Sequence, residues 1–302
     1  MLSNLLSAIP APFRGVFFML VSTLLFTGMQ VTVRHVAEEL HPFEVAFFRN
    51  FFGLLVVSPL LFRFGLGVLK TPQLKLHALR GGLQTTGMML FFTALTLAPL
   101  AQNIALSFTA PLFTTVLAIL ILRERAGWRR WAALIAGFAG AWIVIRPGFA
   151  VVNPGALLVI LSSCVWAGSM IIIKILSRTE SSLTITLYMG LFMAPLSLIP
   201  ALFVWQWPSG EALFFLVLVG AFGGVGHLAL AQAFKESDAT AVLPFDFMRL
   251  IWASALGFLI FAEVPDVWTW IGGAVIFSST VYIAFRETRL KKEGTTVRPA
   301  ES

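Results

Sequence analysis

Residues 239–263 read ATAVLPFDFMRLIWASALGFLIFAE, and the fold turns on how this stretch is understood. At ~1.5 Å per helical residue it is long enough to cross a hydrocarbon core of ~30 Å. Asp246 and Arg249 sit near its middle, and their spacing of three puts them on one helical face. A charge at that depth costs ~2.5–3.5 kcal/mol on insertion scales, so it faces a bundle interior or an aqueous cavity rather than lipid. Pro244 just precedes the pair. Having no N–H to offer the carbonyl of Thr240, it predicts a kink at the depth of the charges. A kinked, charged but otherwise apolar helix has two readings: a wall of a transport pathway, or an Asp–Arg pair that only fixes helix packing.

The rest of the chain agrees with a membrane setting. Of 302 residues, 58% are hydrophobic and only 12% are charged, whereas soluble domains run near 25% charged. This much apolar surface excludes a water-soluble fold and predicts an all-α integral membrane protein. The net charge of +7 is not gathered into a nucleic-acid face, because the basic residues lie in alternate loops. The one cysteine, Cys164, rules out an intrachain disulfide. The N-terminus lacks a basic region ahead of its first apolar residues, so the first span is expected to act as its own insertion signal.

Ten spans are expected, at 14–35, 42–63, 74–97, 101–122, 128–146, 155–176, 182–204, 211–233, 239–262 and 267–286. All should be helices, because an open sheet edge has no way to satisfy its backbone in lipid. Trp128, Trp131, Trp205, Trp207, Trp268 and Trp270 fall near span ends and read as interface anchors. Arg14, Arg63, Lys70, Lys75, Arg123 to Arg130, Arg178, Lys235 and the basic residues from Arg286 on fall on one side of the membrane. The other side holds only Arg34 and Arg146, beside Glu38, Glu39, Glu211, Glu263 and Asp266. By the positive-inside rule both termini are cytoplasmic.

The sequence also echoes itself at an offset close to 140 residues. Gly15 to Ser22, Gly28 and Arg34 match Gly155 to Ser162, Gly168 and Lys174; Gly81 and Gly87 match Gly220 and Gly226; Glu124 and Trp131 match Glu263 and Trp270. The division that follows is an N-terminal segment 1–13, a first five-span repeat 14–146, a linker 147–154, a second repeat 155–286 and a charged cytoplasmic tail 287–302. An odd number of spans per unit inverts the second relative to the first, which is the architecture of secondary transporters.

Residues 91–148, with Leu122-Arg123-Glu124 closing a span ahead of an aromatic and Gly-rich one, resemble the first repeat of EamA-type transporters of the drug/metabolite transporter superfamily. Residues 242–287, with Phe261-Ala262-Glu263 in the same place, resemble the end of the second. The resemblance covers nearly the whole chain. It implies a ten-helix bundle of two inverted five-helix units, a central cavity, alternating access and residence in a bacterial inner membrane. The nine residues HPFEVAFFR (41–49) are further similar to bacterial S-adenosylmethionine uptake carriers within this family, which points to a zwitterionic substrate with an aromatic part. Exporters of amino acids or drug-like compounds and riboflavin carriers are the alternatives.

Within that frame, Asp246, Arg249 and Arg49 form the expected polar centre of a small-molecule site. Arg49 lies some seven residues inside the second span; it is either a ligand for a carboxylate or phosphate, or a structural partner of Glu44. Gln84, Gln102 and Asn103 supply neutral hydrogen-bonding groups, His227 is the histidine deep within a span, and Trp166 is a candidate cavity wall. Interhelical hydrogen bonds and packing are the plainer roles for all five. Glu124 and Glu263 are expected to cap or dock neighbouring helices. Small residues such as Gly81, Gly87, Gly220 and Gly226 are expected to let helices approach closely.

No Walker A sequence, H-E-x-x-H, G-x-S-x-G or Cys/His cluster occurs. The chain is therefore expected to hydrolyse no ATP, to use no cofactor, and to draw any uphill transport from a gradient, with protons the candidate coupling ion. Its expected partners are the small-molecule substrate and the lipid bilayer; the sequence leaves open whether two copies pair as a homodimer. An intramembrane enzyme or a non-transporting receptor is the reading from a different class. The enzyme has only His227 and Asp246 to work with, and the receptor lacks room for an output domain.

Overall fold

The computed structural model describes residues 11–64, 70–124, 126–148, 151–180, 182–237 and 239–296. Among these residues the protein is helical, with no β-strand. The helices are α1 (Ala11–Val36), α2 (Pro42–Phe64), α3 (Leu74–Leu97), α4 (Leu100–Ser107), α5 (Ala110–Ile121), α6 (Trp128–Ile145), α7 (Pro154–Leu176), α8 (Ser182–Leu202) and α9 (Gly210–Glu236). They continue with α10 (Ala239–Val242), a 3₁₀ turn (Leu243–Phe247), α11 (Met248–Phe261) and α12 (Val267–Thr296). Each of the ten expected spans falls on one to three of these segments. Seven of them are long and apolar enough to cross a membrane, so this is a multi-pass membrane protein. Of the other three, α3 and α6 carry polar side chains such as Lys75 and Arg80, or Arg129 and Arg130, within helices of 24 and 18 residues, and the side chains of α2 from residue 56 on lie outside the described ones. The expected N-terminal segment lies outside the described residues up to residue 10, as do residues 297–302; the tail from 287 to 296 continues α12 as helix.

Two expected spans are broken. Pro244 does more than kink its helix: residues 243–247 wind as 3₁₀, and regular α-helix resumes only at Met248. The fourth span, read as continuous, stops at Ser107 and restarts at Ala110. Pro111 explains this, because its ring clashes with the Ser107 carbonyl and it has no N–H to donate to it. The hydroxyls of Ser107 and Thr109 turn back to the carbonyls of Ile104 and Leu106, at 2.7 and 2.6 Å.

The heaviest packing joins elements far apart in sequence: α1 with α9, α3 with α7, α6 with α12, and α2 with α8. Where helices pack in lipid, small residues set how close the backbones come. A Cβ on Gly81 would meet Phe192 Cβ at 2.5 Å, and one on Gly220 would meet Phe52 Cβ at 2.5 Å. Gly87 lies against the Trp166 indole and Gly226 against the Phe26 ring. Ser162 donates to the Gly87 carbonyl at 2.7 Å, and Ser22 donates to the Gly226 carbonyl at 2.9 Å. Gly155 packs on Ala94 and Ala98; Gly15 packs on Ala233 and Ser237. Each contact thus has a mate, in which both residues are displaced by about 140 positions and exchange halves of the chain.

Helix ends repeat the pattern. α5 and α11 each finish on a left-handed residue, Arg123 and Ala262, both at φ 53°. That turn sends the N–H of the following glutamate back to a carbonyl six residues earlier, Glu124 to Ala118 at 3.4 Å and Glu263 to Gly257 at 3.1 Å.

Candidate functional site

The 3₁₀ turn and the start of α11 carry Asp246 and Arg249. Their ion pair spans 3.5 Å, with the two side chains about a quarter and a fifth exposed. Arg249 Nε is buried without a hydrogen-bond partner. The guanidinium carbon of Arg249 stands 5.9 Å from the Phe108 ring centre, at the break between α4 and α5. Phe108, Phe247 and Phe277 form a mutual aromatic cluster with centroid separations of 4.9–6.1 Å. The two helix breaks thus face each other across stacked phenylalanines, beside a cation. The sequence reading missed these rings, although Phe108 and Phe247 are themselves about 140 residues apart. One turn further along α11, Trp252 Nε1 donates to Thr23 Oγ1 of α1 at 3.3 Å.

Arg49 sits on the opposite flank of α1, half-buried among α2, α8 and α9. It donates to Asn50 Oδ1 at 3.1 Å, and Asn50 in turn donates to Ser197 at 3.1 Å. Its guanidinium covers Gly223, where a Cβ would come within 3.3–3.4 Å of two of its nitrogens. The Gly223 carbonyl is 2.7 Å from His227 Nδ1, and the His227 ring meets Phe26 edge-on at 4.9 Å. Arg49 and His227 therefore flank one turn of α9. Glu44 is not the partner of Arg49: its carboxylate, fully buried, accepts the backbone N–H groups of Gln206 at 2.7 Å and His41 at 3.3 Å. No ion pair, hydrogen bond or ring contact among the described residues joins Arg49 to Asp246 or Arg249. Helix α1 packs against both α9 and α11, with Phe26 toward the Arg49 side and Thr23 toward the Asp246 side.

The remaining candidates divide. Gln84 Oε1 accepts from Ser169 at 2.8 Å, and the Trp166 indole lies against Gly87 and Phe91; both residues work at the α3–α7 contact. Asn103 is fully buried and donates to the carbonyls of Ala94 and Ala98, both at 3.0 Å, which ties α4 to the end of α3. Gln102 stands half-buried beside it. Among the described residues no group of three or more His, Cys, Asp or Glu could hold a metal ion.

The glutamates expected to dock helices do so across the chain. Glu263 takes Arg34 of α1 at 2.5 Å and the Leu100 N–H of α4 at 2.9 Å, while Arg34 lies 4.4 Å over the Phe261 ring. Glu124 takes Lys174 of α7, and also Arg130 at 3.3 Å. The Lys174 ammonium donating to it, with Arg130 beside, holds the Glu124 carboxyl below the usual carboxylate range despite some desolvation. The two clusters stand at opposite ends of the α4–α5 segment, since Glu263 takes the Leu100 N–H at its start and Glu124 follows its end.

Comparison with known proteins fits this geometry. The EamA-like transporter family model matches twice, over residues 13–146 and 153–285. The chain belongs to the EamA-like transporter family. Within it, the S-adenosylmethionine uptake transporter of Rickettsia felis is 34% identical over 275 residues, covering 91% of this chain and 94% of that protein. The riboflavin transporter of Vibrio cholerae is 33% identical over 283 residues, covering 92% and 95%. Solute carrier family 35 member G1 of Homo sapiens is 28% identical over 298 residues. A crystal structure of a protein at 18% identity superposes with a TM-score of 0.62, covering 91% of this chain and 98% of its own, and so shares the fold. Family membership makes this EamA-like protein a transporter rather than an enzyme.

Proposed function

We propose that the chain is a secondary transporter of the inner membrane that moves a zwitterionic small metabolite with an aromatic part. Two inverted five-helix repeats would give it alternating access. The observation that carries this reading is the pairing of contacts at an offset of about 140 residues, above all the pairing of Arg34–Glu263 with Lys174–Glu124. Two units related by an axis in the membrane plane produce such exchanged contacts, and they put the two ion pairs at opposite faces. The alternation of basic loops supports placing the Glu124 end and both termini in the cytoplasm. One ion pair must then part for substrate to enter and the other for it to leave.

Between these ends lie the groups that suit the cargo. A carboxylate fits the guanidinium of Arg249 or Arg49, a cationic centre fits Asp246, and a flat ring fits the Phe108–Phe247–Phe277 cluster. S-adenosylmethionine has all three parts, and relatives carrying that name cover nearly the whole chain. Riboflavin offers the ring without the charges, so the ion pair at the helix breaks favours the first substrate. Asp246 is the candidate proton carrier: a substrate carboxylate drawing Arg249 away leaves it free to protonate. The deciding test is a thermal-shift screen of the purified protein against S-adenosylmethionine, amino acids, nucleosides and riboflavin, followed by counterflow of any hit in proteoliposomes. Stabilisation and counterflow by S-adenosylmethionine are expected. A response to riboflavin alone would move the assignment to a flavin carrier, and no counterflow by any of these compounds would end the reading of a zwitterionic metabolite with an aromatic part.

A further inference from the structure

A groove of about 440 Å³ opens between the start of α6 and the middle of α12, lined by Trp128, Arg129, Ala132, Ala133, Ser278, Ser279 and Tyr282. It contains none of the residues assigned to substrate and is open along much of its length. Its walls are graded. Arg129 and Trp128 stand at the mouth, with the guanidinium 5.5 Å from the indole, and both are exposed. Arg286 follows Tyr282 by one helical turn and reaches back to Gly127, where its Nη2 would lie 3.9 Å from a Cβ; its Nη1 is buried with no hydrogen-bond partner. The N-terminus of α6 at this point has no side-chain cap, which leaves backbone N–H groups and the positive end of the helix dipole facing the same space. Inward, the floor is small and mostly apolar: Ala132, Ala133, Ser278 and Ser279. Ser278 lies eight residues along α12 from Arg286, roughly 12 Å deeper at ~1.5 Å per residue.

We infer that this groove holds an anionic phospholipid, its phosphate between Arg129, Arg286 and the α6 N-terminus and its upper acyl chain along the alanine and serine floor. Three sources of positive potential converge on the mouth, and neither arginine has a carboxylate partner among the described residues. Trp128 and Tyr282 are the amphipathic rings that sit at headgroup depth. Basic pockets between helices at a membrane surface are a known mode of anionic lipid recognition. A second copy of the chain would meet the exposed guanidinium of Arg129 here, with that of Arg286 half-buried beside it, and would bring both against their own counterparts if it packed symmetrically. The inference requires only that the chain sits in a bilayer, and not that it carries any given substrate.

The test uses the full-length protein in neutral detergent, with dioleoylphosphatidylglycerol and dioleoylphosphatidylcholine added in parallel and read by native mass spectrometry and thermal shift. One phosphatidylglycerol should be retained per chain and raise the midpoint by several degrees, with phosphatidylcholine giving at most a small shift. Arg129→Gln/Arg286→Gln should abolish the preference while leaving the midpoint in phosphatidylcholine unchanged. Ala132→Leu, which keeps both charges and fills the floor, should lose retention of either lipid. Equal retention of the two lipids, or a preference that survives the double glutamine variant, would overturn the proposal. So would an equal shift from inorganic phosphate alone, or dimerisation that the lipid competes away from the same face.

Discussion

Arg49 and Asp246 differ in what each would do for a bound molecule. Arg49 keeps its fork partly free, because Asn50 takes only one of its N–H groups and Glu44 is occupied elsewhere. Arg49→Lys preserves the charge but not the two-pronged geometry. A charged hydrogen bond contributes ~1.5–3 kcal/mol, so substrate affinity should fall about tenfold or more while the protein still folds. Binding isotherms and size-exclusion profiles check both halves of that statement; normal transport by the lysine variant would remove Arg49 from the site. Asp246→Asn should abolish accumulation driven by an imposed pH gradient yet retain exchange of labelled for unlabelled substrate in proteoliposomes. Accumulation that survives the change would return Asp246 and Arg249 to a packing role.

At the scale of elements, the glycines of α3 and α9 give a paired test. A Cβ on Gly81 or Gly220 strikes the Cβ of a phenylalanine, an atom close to the backbone that cannot swing away. Gly81→Ala and Gly220→Ala should therefore each destabilise by about 1–3 kcal/mol, the usual cost of overpacking. Gly82→Ala, on α3 with nothing within 4 Å of its Cβ, should be neutral or stabilise by up to ~1 kcal/mol through helix propensity. Thermal unfolding followed by tryptophan fluorescence separates the three. The repeat offset was legible in the sequence because glycines, end glutamates and basic residues recur by position. What each glycine touches was not legible, since that depends on which helices become neighbours. The break at Phe108–Thr109 carried a readable signal in Pro111 and was overlooked inside an unbroken apolar run. The separation of Arg49 from Asp246 by α1 could not be read at all: a linear chain says how deep a residue lies, and not on which side of another helix.

For the whole molecule, the distribution of basic residues makes a prediction about sidedness. Reporters fused after Arg63, after Arg130 and after Lys292 should read cytoplasmic, and one near Pro208 should read periplasmic. A C-terminal reporter on the periplasmic side would remove both the even span count and the inversion of the halves. Composition sufficed to place the chain in a membrane, and the ten expected spans coincide with helices. The polar character of α3 and α6 shows why hydropathy alone passes over them: neighbouring helices, and not lipid, surround residues such as His77 and Arg80, which are buried.

The exchange of partners between residues 11–148 and 151–296 also sets a timetable for biosynthesis. Helices α1, α2, α3 and α6 each make their heaviest contacts with a helix from the later half, so they leave the ribosome before those surfaces exist. At ~5–20 residues per second the wait is on the order of ten seconds, with glycine faces and the Arg34 and Glu124 charges open to the bilayer and to membrane proteases. A chain truncated after Gly148 should accordingly be degraded when made alone. Co-expression of the remainder as a separate polypeptide should rescue it, with the two pieces copurifying. Stable accumulation of the first piece alone would mean that its helices can close on one another, an arrangement quite unlike the one they adopt in the complete protein.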